Sequence, residues 1–205
     1  MAITITTLVE NTVYGKELQG EHGLSLLVDT AGYRILFDTG ASDLFMRNAR
    51  MLGIDLREVD FVVLSHGHRD HTGGLHQFLL FNDKATVICK KELFQPKFKE
   101  ERENGLMRPE ALDIERFRFV EEHEEICPGV FVFPRLAITD EADTHFEHFF
   151  TEVDGKKQAD TFADELALVL KQQDAVSVLS ACSHRGITNI LRTVKETFPQ
   201  TSLKL

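Results

Sequence analysis

The sequence predicts an α/β protein in which β-sheets are covered by helices. Strand-like and helix-like patterns alternate between Ile3 and Cys89, and a second series of strands followed by a helix begins at Val130. Apolar residues make up 42% of the 205 positions and charged residues 27%, which is ordinary for a globular protein with a sizeable core. We therefore expect one domain over residues 1–205.

The first series of elements opens with a strand in which β-branched residues alternate with threonine. Two more strands are joined by Thr30-Ala31-Gly32, a short connector that indicates a hairpin. Ser42 can cap a helix, and the apolar run at Phe61–Leu64 is typical of a strand buried on both faces. The predicted elements are strands at 3–9, 24–29 and 33–38, a helix at 42–52, a strand at 61–64, a helix at 73–80 and a strand at 85–89.

The second half of the chain is less regular. Residues 94–128 are heavily charged and contain three prolines, so we expect them to form an excursion over the surface. Residues 139–165 are acidic and resemble a loop. The remaining predicted elements are strands at 130–133, 166–170 and 175–179, a helix at 186–198 and a strand that begins at Ser202.

The composition limits which binding partners and which cellular compartment we expect for this protein. Lys and Arg total 23 against 33 Asp and Glu, a net charge of −10 that disfavours nucleic acid and anionic membranes as partners. Cys89, Cys127 and Cys182 are an odd set of widely spaced thiols with no CxxC pair, which fits a reducing cytoplasm. The first residues do not resemble a signal peptide, and no apolar run reaches the roughly 20 residues that span a bilayer.

One short segment carries most of the chemical signal. Within SHGHRDHTGG, between a buried strand and a predicted helix, lie His66, His68, Asp70 and His71. Imidazole and carboxylate suit zinc, manganese or iron, and the absence of thiolates from the segment disfavours a closed structural zinc site. A surface histidine cluster is the alternative. It is disfavoured because grouping these polar side chains at the end of an apolar strand costs desolvation unless a cation compensates.

A second loop has the same construction. Ser180-Ala181-Cys182-Ser183-His184-Arg185-Gly186 also follows a predicted buried strand and precedes a helix. His184 taken alone is equally explained as a helix-capping or solvent-exposed histidine. Beside the first loop, a role as a further metal ligand becomes the better interpretation.

Asp38 ends the strand in ILFDTG and is open to two interpretations. An aspartate before Thr-Gly is a common turn residue. It can also orient a ligand histidine or a bound water. Its position alone favours the turn.

Together, ILFDTG, HGHRDHTGG and ACSHRG resemble the metallo-β-lactamase superfamily in order and spacing, over nearly the whole chain. The segments EHGLS at 21–25 and CSHRGITNIL resemble a subgroup of metal-dependent hydrolases that includes an archaeal synthase joining a dihydropterin to a ribofuranosylaminobenzene phosphate. The resemblance implies an αββα sandwich of two mixed sheets flanked by helices, with one or two metal ions at one sheet edge. It implies His66, His68 and His184 as ligands of the first ion, Asp70 and His71 as ligands of the second, and Asp38 as a group that orients them.

The superfamily pattern adds two ligands after the position of His184, one of which bridges the two ions. The 21 residues that follow His184 contain no His, Asp or Cys. We therefore expect either that the C-terminal part of the fold is incomplete or that other histidines complete the second site. The candidates are His22, His123, His145 and His148, of which His22, in EHGLS, is best placed to line the site.

The expected function is that of a metal-dependent hydrolase acting on an ester, lactone or phosphoester of a small metabolite, or of a related pterin transferase. Asp70 would orient the attacking water or accept its proton. Gly73 and Gly74 would let an anionic substrate approach backbone amides, and Arg69 and Arg185 could contact a phosphate. The alternative is an auxiliary or catalytically impaired relative without the second metal. An unfinished final sheet would leave a strand edge at which two chains could pair as a homodimer.

Overall fold

In a computed structural model, which describes residues 2–15 and 17–204, two mixed β-sheets pack face to face with helices on their outer sides. The predicted αββα sandwich is confirmed. The strands are β1 (Thr4–Val9), β2 (Ser25–Thr30), β3 (Tyr33–Phe37), β4 (Phe61–Val63), β5 (Thr86–Cys89), β6 (Lys97–Lys99), β7 (Arg102–Glu103), β8 (Phe117–Phe119), β9 (Glu124–Cys127), β10 (Val130–Phe133), β11 (Phe149–Val153), β12 (Lys156–Ala159), β13 (Ala167–Gln172), β14 (Ala175–Leu179) and β15 (Ser202–Lys204). The α-helices are α1 (Leu44–Met51), α2 (Arg69–Thr72), α3 (Leu75–Phe81) and α4 (Ile187–Thr197).

The first sheet has the strand order β1-β2-β3-β4-β5-β8. Strands β1 to β3 are antiparallel, and the predicted hairpin between β2 and β3 turns at Ala31 and Gly32, both with positive φ. From β3 to β8 the pairing is parallel. The carboxyl ends of β3 and β4 therefore meet at one edge of the sheet, which brings Asp38 beside the residues that follow Leu64.

The second sheet has the order β15-β14-β13-β10-β9. Strands β13 and β14 form the predicted antiparallel pair, and β15 joins the sheet parallel to β14. The loop after β14 contains His184 and opens at the same end of the sandwich as the loop after β4, where the two histidine-bearing segments meet. Pairing of two chains along the edge at β15 stays a prediction.

Apolar side chains from the two sheets meet in one layer, and the outer faces carry two further layers. Val28, Phe37 and Val63 of the first sheet pack in one cluster with Val132 and Leu168 of the second, all fully buried. Helices α1 and α3 cover the first sheet, and α4 covers the second. The three layers hold the carboxyl-terminal loops of β3, β4 and β14 in fixed positions.

Two segments differ from the sequence-based expectation. The surface excursion at 94–128 contributes β8 to the first sheet and β9 to the second, because short alternations such as Phe117-Arg118-Phe119 bury one face despite the surrounding charge. Part of the acidic loop at 139–165 is the hairpin β11–β12, which pairs with β6 and β7 in a small third sheet. The predicted helix at 73–80 corresponds to α3, and the short helix α2, which was not predicted, precedes it on the other side of Gly73 and Gly74.

Gly73 and Gly74 allow the backbone of a neighbouring loop to pack closely against them. A Cβ atom on Gly73 would lie 2.1 Å from the carbonyl oxygen of Ala41, and one on Gly74 would lie 2.4 Å from that of Ser42. The loop at 39–42 therefore packs directly against both glycines. The backbone N–H of Gly73 donates to the carbonyl oxygen of Gly40 (2.8 Å), so this amide is not free for the anionic substrate expected there.

Within the described residues, no helix combines the length and the apolar character needed to cross a bilayer.

We expect Gly73→Ala to lower the free energy of unfolding by about 1–3 kcal/mol, because its methyl group must displace backbone rather than a flexible side chain. Urea denaturation measures this. Gly15→Ala is the matched control, since nothing lies within 4 Å of a Cβ built there, and it should change stability by less than about 0.5 kcal/mol. Equal effects of the two substitutions would contradict the close packing at Gly73.

Candidate metal centre

Three histidines from two distant loops converge at the edge of the sandwich. The ring centroid of His66 lies 4.7 Å from that of His68 and 5.2 Å from that of His184, and the centroids of His68 and His184 are 5.3 Å apart. One nitrogen from each ring falls within 4.8 Å of the other two. The structure thus brings together the three residues that the sequence predicts as ligands of a first metal ion.

One nitrogen in each of the three rings lacks a hydrogen-bond partner among the described residues. In the part of the chain that the structure describes, Nε2 of His66, His68 and His184 is buried and has no hydrogen-bond partner. A buried nitrogen with an unused lone pair is costly, and three facing one another are hard to explain by packing alone. A divalent cation would use all three lone pairs, so the residues fit a metal.

Hydrogen bonds fix which nitrogen is available. Nδ1 of His184 donates to the carbonyl oxygen of His145 (2.9 Å), since a carbonyl can only accept. Ser65 Oγ donates its single proton to the Asp38 carboxylate. Nδ1 of His66 lies 2.9 Å from Ser65 Oγ and must therefore donate to that hydroxyl oxygen. In both rings the proton is on Nδ1, which leaves the lone pair on Nε2.

The surroundings also keep these rings neutral. Burial lowers the pKa of His66 well below the usual histidine value, that of His68 to about 3 and that of His184 to about 4. Much of the wall is aromatic: Phe162 stacks on His184 with centroids 3.7 Å apart, and the Phe149 centroid is 4.9 Å from that of His68. At neutral pH all three imidazoles are unprotonated, which is the form that binds metals.

Asp38 organises the second half of the site. Its buried carboxylate accepts hydrogen bonds from Ser65 N, Ser65 Oγ and His71 Nδ1, each at 2.7 Å. The backbone there has a φ of 60°, which aspartate tolerates better than most residues. The geometry favours the orienting role over the plain turn, because these contacts direct Nε2 of His71 toward the site.

A second group of ligand-type atoms surrounds His71. Its Nε2 lies 3.4 Å from Asp70 Oδ2 and 3.2 Å from Cys182 Sγ. Burial opposes a charge on His71, but the adjacent Asp38 carboxylate outweighs it and raises the His71 pKa well above the usual value. Burial also opposes ionisation of Asp70, but its hydrogen bond with His71 lowers the Asp70 pKa to about 2.

The three predicted substrate-binding residues occupy different surroundings. His22 is exposed, and its Nε2 is 3.4 Å from Asp70 Oδ2, so it lies at the mouth of the site. Arg69 is exposed beside the ligand loop. Arg185 donates from Nε and Nη1 to the carbonyl oxygens of Leu136 and Thr161, so these two donors are committed to the fold. A phosphate contact by either arginine stays a prediction.

The other histidines considered as ligands lie apart from the cluster. His123 is exposed and stacks on Phe133, as expected for a charged surface run. His148 is exposed, and its Nδ1 is 3.9 Å from Glu100. His145 contributes a backbone carbonyl to His184, and residues 144–148 are not helical, so their i,i+3 spacing does not place the side chains of His145 and His148 on one helical face.

Sequence reasoning missed the residues that brace the two loops. Asp164 accepts a hydrogen bond from Gly67 N (2.6 Å), between His66 and His68, and also one from the buried Lys97 (2.8 Å). Glu165 accepts from the backbone N–H groups of His184 and Arg185. Two adjacent carboxylates therefore hold both ligand loops. The one available signal was their place directly before the apolar run LALVL.

Comparison with known proteins identifies the class to which this fold and site belong. A family model for the metallo-beta-lactamase superfamily matches residues 18–153, and the chain belongs to that superfamily.

Relatives from one organism match almost the whole chain. The uncharacterized protein MJ0448 of Methanocaldococcus jannaschii is 32% identical over 94% of this chain and 74% of its own length. A 7,8-dihydropterin-6-methyl-4-(beta-D-ribofuranosyl)-aminobenzene-5'-phosphate synthase of that organism is 30% identical over 93% and 71%. The crystal structure of Tm1679, a metal-dependent hydrolase of the beta-lactamase superfamily, superposes with a TM-score of 0.83 at 36% identity, covering 96% of this chain and 72% of Tm1679.

A buried cluster of charged side chains contributes to stability, and it consists of Lys97, Asp160 and Asp164. Lys97 Nζ lies 2.9 Å from Asp160 and 2.8 Å from Asp164, and all three side chains are almost fully buried. We expect Lys97→Met to cost about 3–5 kcal/mol of unfolding free energy, because two buried carboxylates lose their cation. Lys84→Met, which removes an exposed pair with Asp60, should cost less than about 1 kcal/mol in the same denaturation experiment. Similar losses would contradict the bracing role.

The buried carboxyl group of Glu165 makes the free energy of unfolding depend on pH. Burial raises its pKa to about 7, from an ordinary value of 4.5. The folded protein therefore binds more protons than the unfolded chain between about pH 4.5 and 7, and stability falls as pH rises through this window. The full decrease is on the order of 3 kcal/mol.

Glu165→Gln removes the titrating group but keeps an acceptor for the loop at 183–185. Unfolding free energies measured from pH 5 to 8 with a chelator present should therefore fall more steeply for the wild type than for the variant. Parallel pH profiles would show that Glu165 does not titrate in this range.

Proposed function

We propose that this protein is a metal-dependent hydrolase that cleaves an ester, lactone or phosphoester of a small metabolite. The observation that carries the proposal is the set of three buried, unpartnered Nε2 atoms of His66, His68 and His184. Superfamily membership and the structural likeness to a metal-dependent hydrolase support the same class of chemistry.

His66, His68 and His184 would hold the first ion, and Asp70 and His71 would contribute to a second. Three protein ligands with an open position are the arrangement of catalytic zinc sites, so zinc is the metal we propose, with manganese and iron as alternatives. When bound, such an ion lowers the pKa of water to about 7 and so supplies hydroxide at neutral pH.

The chain's own residues orient the site and keep part of it dry. Asp38 holds His71 through Nδ1, and Ser65 links Asp38 to His66, so two ligand rings share one anchor. With its pKa near 2, Asp70 stays anionic at neutral pH, which suits it to binding a cation or orienting water rather than to accepting a proton. Of the two roles expected for Asp70, the first is the one we retain.

The substrate would lie in a cavity beside the ligand loop. A space of about 440 Å³ extends from Arg69 to Arg108, and its walls include Phe94, Leu106 and Met107. Apolar walls with a few charged groups are typical of small-molecule sites, and the two arginines suit a substrate with an anionic group such as a phosphate. This supports a small metabolite rather than a nucleic acid, which the net charge of −10 also disfavours.

A pterin-related group transfer is the second candidate. It is favoured by the 30% identity with a dihydropterin ribofuranosylaminobenzene phosphate synthase over 93% of this chain. The same cavity, with aromatic and basic walls, is compatible with a heterocycle bearing a phosphate.

The three cysteines are not in disulfides, which agrees with the cytoplasmic location that we propose.

Metal analysis and activity assays on matched variants test the proposal. We expect the wild type to be isolated with bound metal and to hydrolyse a phosphodiester or a lactone substrate. His68→Ala should lower the metal affinity of the three-histidine position and the rate by at least ~100-fold, since loss of groups that only orient ligands costs 10–100-fold. His123→Ala, which removes an exposed histidine away from the cluster, should change neither.

Wild-type protein that is folded, binds no added zinc, manganese or iron, and lacks activity would contradict the proposal. It would support an auxiliary or catalytically impaired relative of the superfamily instead. Equal effects of His68→Ala and His123→Ala would also overturn it, because the buried cluster would then have no special role.

A further inference from the structure

Cys182 lies beside the second group of ligand-type atoms, in a position that the superfamily pattern described above does not use. We propose that its thiolate is a ligand of a second divalent cation, together with His71 Nε2 and Asp70 Oδ2. The inference rests on the proposed function, because it assigns the second ion of the same centre. It gives that ion a third protein ligand from within the described chain.

The distances support a shared site. Cys182 Sγ is 3.2 Å from His71 Nε2, and Asp70 Oδ2 is 3.4 Å from the same nitrogen. Ligand-type atoms of His66, His71 and Cys182 all lie within 4.8 Å of one another. His66 Nε2, which we assign to the first ion, is buried and unpartnered among the described residues, so the two proposed ion positions lie side by side.

The position of Cys182 is set by the loop that also delivers His184. Ser180 Oγ and Ser183 Oγ share a hydrogen bond of 2.8 Å across Cys182, and the φ of Ser183 is 52°. Glu165 then fixes the backbone N–H of His184. One braced turn therefore places the imidazole against the first group of ligands and the thiol against the second. Cys89 and Cys127, in contrast, are buried within strands.

The chemistry of this donor set is specific. On binding, the S–H bond of Cys182 and the Nε2–H bond of His71 break, both protons leave to solvent, and bonds from sulfur and from Nε2 to the metal form. One carboxylate, one thiolate and one neutral imidazole balance a charge of +2. Because a soft sulfur ligand favours zinc or cobalt over manganese and magnesium, the second position should discriminate among metals more sharply than the three-histidine position does.

Cobalt titration of the metal-depleted protein tests the inference with an optical readout. Thiolate ligation produces a sulfur-to-cobalt charge-transfer band in the near ultraviolet, which imidazole and carboxylate ligands do not produce. We expect two equivalents of Co²⁺ to bind to the wild type and the band to appear.

Two cysteine variants serve as a matched pair. Cys182→Ala should abolish the charge-transfer band and raise the dissociation constant of one equivalent at least ~10-fold, the lower bound for losing a group that merely orients a ligand. Cys127→Ala should leave both the band and the stoichiometry unchanged. His68→Ala should weaken the other equivalent while the band persists.

Thiol alkylation gives a second readout. Iodoacetamide should modify Cys182 in the metal-depleted wild type at least ~10-fold faster than in the zinc-loaded protein, because a coordinated sulfur is protected. The outcomes distinguish a failure of this inference from a failure of the proposed function. Cobalt binding without a thiolate band, or a band that survives Cys182→Ala, overturns the role of Cys182 and leaves the three-histidine site standing. No cobalt binding at all overturns both.

Discussion

The constraint on which the site depends is the burial of three imidazoles that present unused lone pairs to one another. Such an arrangement is unfavourable in an empty protein interior, and burial makes protonation of the rings more unfavourable still, as the lowered pKa values of His68 and His184 indicate. A bound cation removes both difficulties at once. Hydrogen bonds at Nδ1 of His66 and His184 keep Nε2 of these two rings directed inward without satisfying it.

The fold meets this constraint by delivering ligands from loops that are braced from behind. Parallel pairing of β3 and β4 places Asp38 beside Ser65, so one buried carboxylate orients His71 and, through Ser65, His66. On the second sheet, Asp164 and Glu165 hold the two histidine loops from the start of β13. Rigidity of this kind matters in a catalytic metal site, because ligands fixed before binding leave an open coordination position for the reacting molecule.

The sandwich could be predicted from local patterns, and the clustering of the candidate ligands from those patterns together with the resemblance to a known superfamily. His66, His68, Asp70 and His71 are neighbours in the chain, and His184 follows a strand of similar character, so their convergence follows from strand ends meeting at a sheet edge. The braces could not be predicted in this way. Asp164 is stabilised in the interior by Lys97, 67 positions away, and composition alone makes such a carboxylate look like part of an acidic loop. Cys182 was noted only as a free thiol, since its approach to His71 depends on how two distant turns pack.

Anomalous X-ray diffraction from crystals of the protein as purified tests the central claim most directly. Data collected on both sides of the zinc, iron and manganese absorption edges locate and identify a bound ion without any assumption about substrate. The account predicts an anomalous peak bonded to Nε2 of His66, His68 and His184. A well-ordered structure that lacks such a peak even after soaking in zinc, with the three rings hydrogen-bonded to water or rotated away from one another, would contradict it.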